Sequence, residues 1–165
     1  MFTLYRPVLY LHFLSAFVYM LSHGASATVA YRLRSESNLE RIRALLELSQ
    51  SSFSVMYLSL LAMVLAGIAL GFLGRWWSAG WIWLSLGLLI LVLVLMWLLA
   101  SKSFHRVRKA AGLPYLDGTK EHPPVEPASP DELKALLKAE NPNLITLVGI
   151  GGWAVILWLM IFKPF

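Results

Sequence analysis

The sequence predicts an all-α, polytopic membrane protein with four transmembrane helices in a bundle and both termini outside. Of its 165 residues, 58% are hydrophobic and only 14% are charged, whereas soluble domains carry about 25% charged residues. Four apolar runs reach the roughly 20 residues that cross a bilayer. We therefore expect a multi-pass membrane protein.

The predicted transmembrane helices cover about residues 8–31, 54–73, 81–100 and 144–162. None contains an interior proline, Lys, Arg, Asp or Glu, so each can satisfy its backbone hydrogen bonds internally, as lipid requires. The short "GRWWSAGWIW" connection makes helices two and three antiparallel neighbours. It also places four tryptophans at the outer water–lipid boundary, where tryptophan is enriched: Trp76, Trp77, Trp81 and Trp83.

Basic residues indicate the orientation of the four helices. The 32–53 connection carries four arginines, and the 101–143 connection carries seven Lys and Arg. The opposite side has only Arg6, Arg75 and Lys163. Because cytoplasmic loops are enriched in Lys and Arg, both long connections are expected in the cytoplasm. All nine acidic residues fall in the same two connections, so no polycationic surface for nucleic acid is expected.

The first helix has a competing interpretation as a cleaved secretory signal. Residues 1–27 show a basic residue, an apolar stretch and a small-residue "ASA" ending, which is the pattern of such signals. Arg32 and Arg34 follow directly, and positive charge after the apolar run favours retention on the inner side. We therefore predict an uncleaved first helix.

The cytoplasmic segments also contain short elements. Ser37 and Glu40 have capping-box spacing, and they predict an amphipathic helix that lies on the membrane or continues into helix two. Helix three is expected to run past the bilayer and stop at Gly112. Residues 113–130 are predicted to be a Pro-rich linker, because "EHPPVEPASP" has four prolines in ten residues.

A short amphipathic helix is predicted over residues 131–140. Ser129 and Glu132 have capping-box spacing, and Pro130 fits the first turn. Its leucines form one apolar face that needs a partner: another cytoplasmic helix, the lipid surface or a second protein.

One face of the first helix is unusually polar. The residues of this polar stripe recur at spacings of three and four, which places them on one side of a helix, and polar groups in lipid face a bundle interior or cavity. His12 and His23 are the candidate cofactor-binding residues, because a neutral imidazole can bind haem iron or copper or relay protons. The candidate lining residues are Ser15, Tyr19, Ser22 and Ser26. The alternative role is structural, since Ser, Tyr and His form hydrogen bonds between membrane helices.

The cofactors remain open between haem b, copper and none. A bis-histidine haem needs a second imidazole at matching depth on a facing helix, and His105 lies too far toward the cytoplasm to pair with His23. Copper lacks its usual ligand set, because the chain has no cysteine and no Met-His cluster, and Met20, three residues before His23, is a lone thioether. A proton pathway lacks an intramembrane carboxylate.

Glycines mark two places of expected close contact. Gly67 and Gly71 have GxxxG spacing, which allows helices to approach closely, and packing within the chain is favoured over dimerisation. Gly149, Gly151 and Gly152 would let the last helix approach a neighbour or bend.

The segments "YLHFLSAFVYMLSHGASATVAYRLR", "LLELSQSS" and "AGIALGF" resemble a family of small predicted bacterial integral membrane proteins, similar in pattern to CopD-like copper-resistance membrane domains. The resemblance covers about the first three helices. His12 matches the Leu-His start of helix one in that family. The relatives often continue with a Trp-x-Gly element, where this chain has Val18-Tyr19-Met20.

No nucleophile–base set, phosphate loop or zinc motif is present, so the expected function is non-enzymatic. The first hypothesis is a membrane protein whose polar stripe binds haem or a metal. The second is an accessory or scaffold subunit of a membrane complex, and the third is a small oligomeric transporter or channel. The expected partners are the lipid bilayer and either a second copy or another membrane subunit, with no nucleic acid.

Overall fold

The computed structural model describes residues 2–165, and four long helices dominate it. They are α1 (Phe2–Leu33), α2 (Leu39–Leu73), α3 (Gly80–Ala110) and α5 (Pro142–Phe162). All four are long and apolar enough to cross a membrane, which confirms the predicted all-α class and the number of candidate spans.

Two of these helices continue well beyond the predicted apolar runs. The amphipathic segment before the second run belongs to α2, a single helix of 35 residues, so it does not form a separate surface helix. Likewise, α3 continues to Ala110, and Gly112 follows with a φ of +72°. A glycine in this left-handed conformation is a common helix terminator, as the sequence predicts.

The start of α2 differs from the predicted capping box. Asn38, rather than Ser37, is the N-cap, and its side-chain oxygen accepts a hydrogen bond from the Arg41 backbone N–H at 3.0 Å. The Glu36 carboxylate accepts the N–H groups of Ser37 and Asn38, which holds the pKa of Glu36 below its usual range. Asn and Ser cap helices about equally well, so the spacing of Ser37 and Glu40 does not distinguish Ser37 from Asn38. The prediction of Ser37 as the N-cap was therefore wrong.

The long helices contact one another mainly in two pairs, α1 with α2 and α3 with α5. In addition, α1 touches the start of α5, where the Tyr31 hydroxyl donates to Asn143 Oδ1 at 2.9 Å. The first helix therefore links the two pairs.

One end of the helices carries the 75–79 hairpin, and we call it the tryptophan end. Arg75 has a φ of +57° there, and a short 3₁₀ turn over Trp76–Ser78 follows. The Trp83 indole N–H donates to the Trp77 carbonyl at 2.9 Å. The Lys163 ammonium lies 4.1 Å from the Trp76 ring centroid, so the end of α5 is held against the tryptophans.

The other end, which we call the connection end, holds the 34–38 turn and the 111–141 segment. Its helix α4 (Pro130–Ala139) begins with the predicted capping box of Ser129 and Glu132. The hydrogen bonds from Ser129 hold the pKa of Glu132 below its usual range. The apolar face of α4 packs on the ends of α1, α2 and α3 in a hydrophobic core whose buried members are Val29, Leu33, Ile42, Leu46, Val107, Ala111, Leu133 and Leu137.

A buried arginine ties the connection end together. The Arg108 Nε–H donates to the Pro114 carbonyl at 2.7 Å, and its Nη1 lies 2.9 Å from a Glu47 carboxylate oxygen. The contact joins α3 to α2 as an ion pair, although Nη1 has no well-aligned hydrogen bond.

The predicted 113–130 linker contains a small hairpin that the sequence pattern did not indicate. Strands β1 (Tyr115–Asp117) and β2 (Lys120–His122) pair in antiparallel register around Gly118, which has a φ of +63°. The His122 and Tyr115 rings stack across the strands at 5.2 Å. The proline-containing residues after β2 lack regular secondary structure up to α4.

Candidate intramembrane site at His23

The polar stripe on α1 divides between two neighbouring surfaces. Ser15, Tyr19 and His23 are buried, whereas the other stripe residues are half-buried. Some members contact α2 and others face α3 and α5, so the stripe does not line one continuous cavity. The two histidines lie about 16 Å apart along the helix and have different partners.

His12 has a structural role between α1 and α2. Its Nδ1 lies 2.8 Å from the backbone carbonyl of Met63. Because a carbonyl oxygen only accepts, Nδ1 carries the proton and donates. Gly67 makes room for the ring, since a Cβ there would lie 3.1 Å from the imidazole Cε1. This glycine of the GxxxG pair therefore contacts helix one of the same chain.

One serine of the stripe, Ser26, makes a polar contact with α2. The Ser49 hydroxyl, which is buried, donates to the Ser26 hydroxyl at 3.2 Å. Ser15 is buried and Ser22 is half-buried. The Ser26 contact matches the structural interpretation of the stripe, in which hydroxyls join neighbouring helices.

His23 lies in a different environment from His12. Its side chain is only 7% exposed, and its Nε2 atom has no hydrogen-bond partner among the described residues. A Cβ on Gly149 of α5 would overlap Nε2 and lie 2.9 Å from Cε1. The ring thus fits against backbone that lacks a side chain, and Nε2 is left available in an apolar interior.

A methionine thioether lies beside this imidazole. The Met96 sulfur of α3 would be 3.4 Å from the same Cβ on Gly149. His23 Nε2 and Met96 Sδ therefore both lie next to one position beside the Gly149 backbone. Met20 is three residues before His23 on α1 and lies one turn away on a similar face. An imidazole nitrogen of α1 and a soft sulfur atom of α3 therefore come from facing helices.

Aromatic rings cover the other side of His23. Tyr19 is four residues earlier on α1, and its ring is parallel to the imidazole with centroids 6.1 Å apart. Trp153 of α5 packs on Tyr19 at 5.0 Å. The Trp153 contact holds Tyr19, one turn from His23, against α5.

The helices that face His23 are both irregular at this level. A π-helical turn covers Trp97–Ser101 directly after Met96, and another covers Leu147–Gly151 around Gly149. The π-helix is rare and, where it occurs as single turns, is frequent at functional sites. Two such turns flanking one unpartnered imidazole make this the strongest candidate site in the described chain.

The metal and cofactor chemistry open to this site is narrow. Within residues 2–165, no cluster of three or more His, Cys, Asp or Glu side chains is placed to hold a metal ion. A hard divalent ion would need such oxygen and nitrogen donors, whereas Cu(I) accepts imidazole and thioether ligands. The imidazole and sulfur donors at His23 are therefore suited to a soft monovalent ion.

Sequence patterns identified only part of this site. They single out His23, Tyr19 and the glycines around Gly149, but not Met96 or Trp153. Met96 lies in a run that is apolar on every side, so periodicity carries no information about the face that meets α1.

The composition and the four long apolar helices are those of a multi-pass membrane protein. Comparison of the chain with protein-family models, curated proteins and solved structures found no significant match.

Proposed function

We propose that the protein is a non-enzymatic, multi-pass protein of the bacterial inner membrane that binds Cu(I) between its helices. His23 Nε2 and Met96 Sδ would be ligands, with Met20, three residues before His23 on α1, as a candidate third ligand. One observation supports this proposal above the others: a buried imidazole nitrogen without a hydrogen-bond partner lies beside a thioether. A buried polar atom without a partner is costly, and a bound cation would satisfy it.

Haem b fits the same residues less well. The Gly149 backbone lies directly against the His23 ring, which leaves no space for a porphyrin plane at Nε2. His12 is fixed to the Met63 carbonyl and contacts another helix. His105 accepts the Leu116 backbone N–H at 3.2 Å, at the connection end. Among the described residues, no second imidazole faces His23.

The accessory-subunit hypothesis depends mainly on the apolar face of the predicted 131–140 helix being free to bind a partner. The apolar face of the predicted 131–140 helix packs on the chain's own hydrophobic core, with Leu133 and Leu137 buried. That face therefore serves intramolecular folding. The transporter hypothesis is not favoured by any particular contact of the described residues.

Copper binding provides the direct test. The purified full chain is expected to take one Cu(I) from a chromophoric Cu(I) chelator, and Met96→Leu is expected to weaken this binding at least ten-fold. Leu has a similar volume to Met, so the variant is expected to fold. The measurement is chelator absorbance during titration, together with metal content after desalting.

Two controls make the copper result decisive. Met63→Leu changes a buried methionine on α2, away from His23, and is expected to bind like the wild type. His23→Ala is expected to abolish binding. Equal copper retention by Met96→Leu and the wild type would contradict the assignment, and a Soret band in the purified protein would favour haem instead.

The proposed orientation places both termini outside and the connection end in the cytoplasm. The chain has no cysteine, so single-cysteine variants need no further background changes. We expect Ser78→Cys, in the exposed tryptophan hairpin, to react with a membrane-impermeant maleimide on intact cells.

Thr119→Cys provides the matched position for this labelling experiment. It lies exposed in the turn between β1 and β2 and is expected to react only after permeabilisation. The reverse pattern would require the opposite orientation, and labelling of both positions on intact cells would contradict the four-span topology.

A further inference from the structure

A groove of about 360 Å³ opens between α3 and α5 near the connection end. On one side it is lined by leucine and isoleucine side chains from the two helices: Leu98, Leu99, Leu144 and Ile145. On the other side it is lined by Lys102 and Arg106 of α3, with Glu140 and Asn141 before α5. The groove therefore changes from apolar to charged along the helix axes.

The charges of this groove are unevenly balanced. Arg106 pairs with Glu140 at 3.1 Å, and Glu140 also accepts a hydrogen bond from the Ser103 hydroxyl. Lys102 is exposed and takes part in no ion pair among the described residues. The groove side chains thus carry a net charge of about +1, and the unpaired part of that charge is at Lys102.

A neutral donor completes the polar half. Asn141 Oδ1 accepts the Leu144 backbone N–H at 3.2 Å, as the N-cap of α5. The side-chain NH₂ group of Asn141 is therefore directed away from that bond and can donate to an oxygen in the groove. The groove offers an ammonium, a guanidinium and an amide as donors.

We infer that this groove binds one anionic phospholipid, with its phosphodiester at Lys102 and Arg106 and its acyl chains along the leucines. Leu98 and Lys102 are four residues apart, which is about 6 Å along a helix. The change from apolar to basic walls therefore occurs within one turn, as it does between acyl chains and headgroup phosphates. Basic pockets between transmembrane helices bind anionic headgroups in this manner.

The charge of the groove selects the class of lipid. A single phosphodiester charge, as in phosphatidylglycerol, matches the net charge of about +1. A zwitterionic headgroup such as phosphatidylcholine would add a second cation next to Lys102. A free phosphate has the same anionic chemistry but leaves the apolar half of the groove unused. We therefore expect phosphatidylglycerol to bind more tightly than either.

Native mass spectrometry of the full chain in detergent tests this inference. With added phosphatidylglycerol, the wild type is expected to retain one lipid, and Lys102→Gln to bind it about five-fold more weakly, since one Lys near an anionic lipid surface contributes about 1 kcal/mol. Lys102→Gln with Arg106→Gln is expected to weaken it further. Lys120→Gln removes the same charge from the exposed β-hairpin and is expected to bind like the wild type.

The same experiment separates the possible ligands. Phosphatidylcholine is expected to be lost at collision energies that retain phosphatidylglycerol, and inorganic phosphate is expected not to displace the lipid. Equal retention of both lipids, or equal loss in Lys102→Gln and Lys120→Gln, would overturn the assignment. Displacement by inorganic phosphate would instead identify a free-anion site. None of these outcomes depends on copper binding at His23.

Discussion

Gly149→Ala is expected to destabilise the protein by about 1–3 kcal/mol, the usual cost of overpacking a filled interior. The new methyl group would overlap the His23 imidazole and approach the Met96 sulfur. Ala favours helix over Gly by about 1 kcal/mol in an exposed helix, but that gain is smaller than the cost of separating α1 from α5. The difference in stability between the variant and the wild type is measured by thermal unfolding in detergent, with the loss of monodisperse protein as the signal.

Gly151→Ala is the matched control for this substitution. It lies in the same π-helical turn, and a Cβ there would meet only a Leu147 methyl at 3.5 Å. That distance is ordinary van der Waals contact, so we expect unchanged or slightly higher stability. If both variants lose the same stability, the π turn itself requires glycine and the His23 contact does not explain the effect.

A double variant separates the imidazole contact from other effects at Gly149. In a His23→Ala background the ring is absent, so Gly149→Ala is expected to cost much less than it does alone. The coupling energy between contacting residues is typically about 0.5–3 kcal/mol. Additive losses would show that the new methyl group encounters atoms other than the ring.

The sequence predicts the membrane class and the helices because the hydrocarbon core of a bilayer requires apolar side chains and about 20 residues per spanning helix. Composition and the length of each apolar run therefore show both directly. It also identifies the α4 capping box, since Ser129, Pro130 and Glu132 act locally within one turn. These features require no knowledge of which helices are neighbours.

Features that depend on helix pairing were not predictable. The sequence placed His12 and His23 on one stripe, yet they contact α2 and α5 respectively. A small rotation or local unwinding of a facing helix decides such contacts. The glycines in the π-helical turn around Gly149 indicate a close approach or a bend, but they do not indicate which residue of α1 lies there. Met96 was missed because it lies in a run that is apolar on every side.

The hairpin β1–β2 was missed because its strands have only three residues each. Such short strands show no reliable alternation of polar and apolar residues. The Leu116 backbone N–H donates to His105 of α3, so a contact with a helix distant in sequence helps to position the hairpin.

The hydrophobic core at the connection end has a consequence for stability. It joins the ends of α1, α2 and α3 to α4, beside the charged connections that the proposed topology places in water. Burial of these side chains depends on the hydrophobic effect of water, which does not act between helices within lipid. We therefore expect this core to contribute strongly to the free energy of unfolding of the whole chain.

Leu46→Ala is expected to destabilise the protein by about 2–5 kcal/mol, the range for removing a buried leucine and leaving a cavity. Leu46 is 0% exposed and packs in the same core as Leu137 of α4. Leu48→Ala is the control, because Leu48 is on the same helix but 55% exposed, and its loss is expected to stay below about 0.5 kcal/mol.

Limited proteolysis reports whether the stability lost in Leu46→Ala comes from the docking of α4. The exposed residues between β2 and α4 are expected to be cleaved faster in Leu46→Ala than in Leu48→Ala, since the weakened core holds α4 less firmly. Leu137→Ala alters the same core from the α4 side and should give the same cleavage pattern. Equal cleavage in Leu46→Ala and Leu48→Ala would show that α4 is held in place independently of this core.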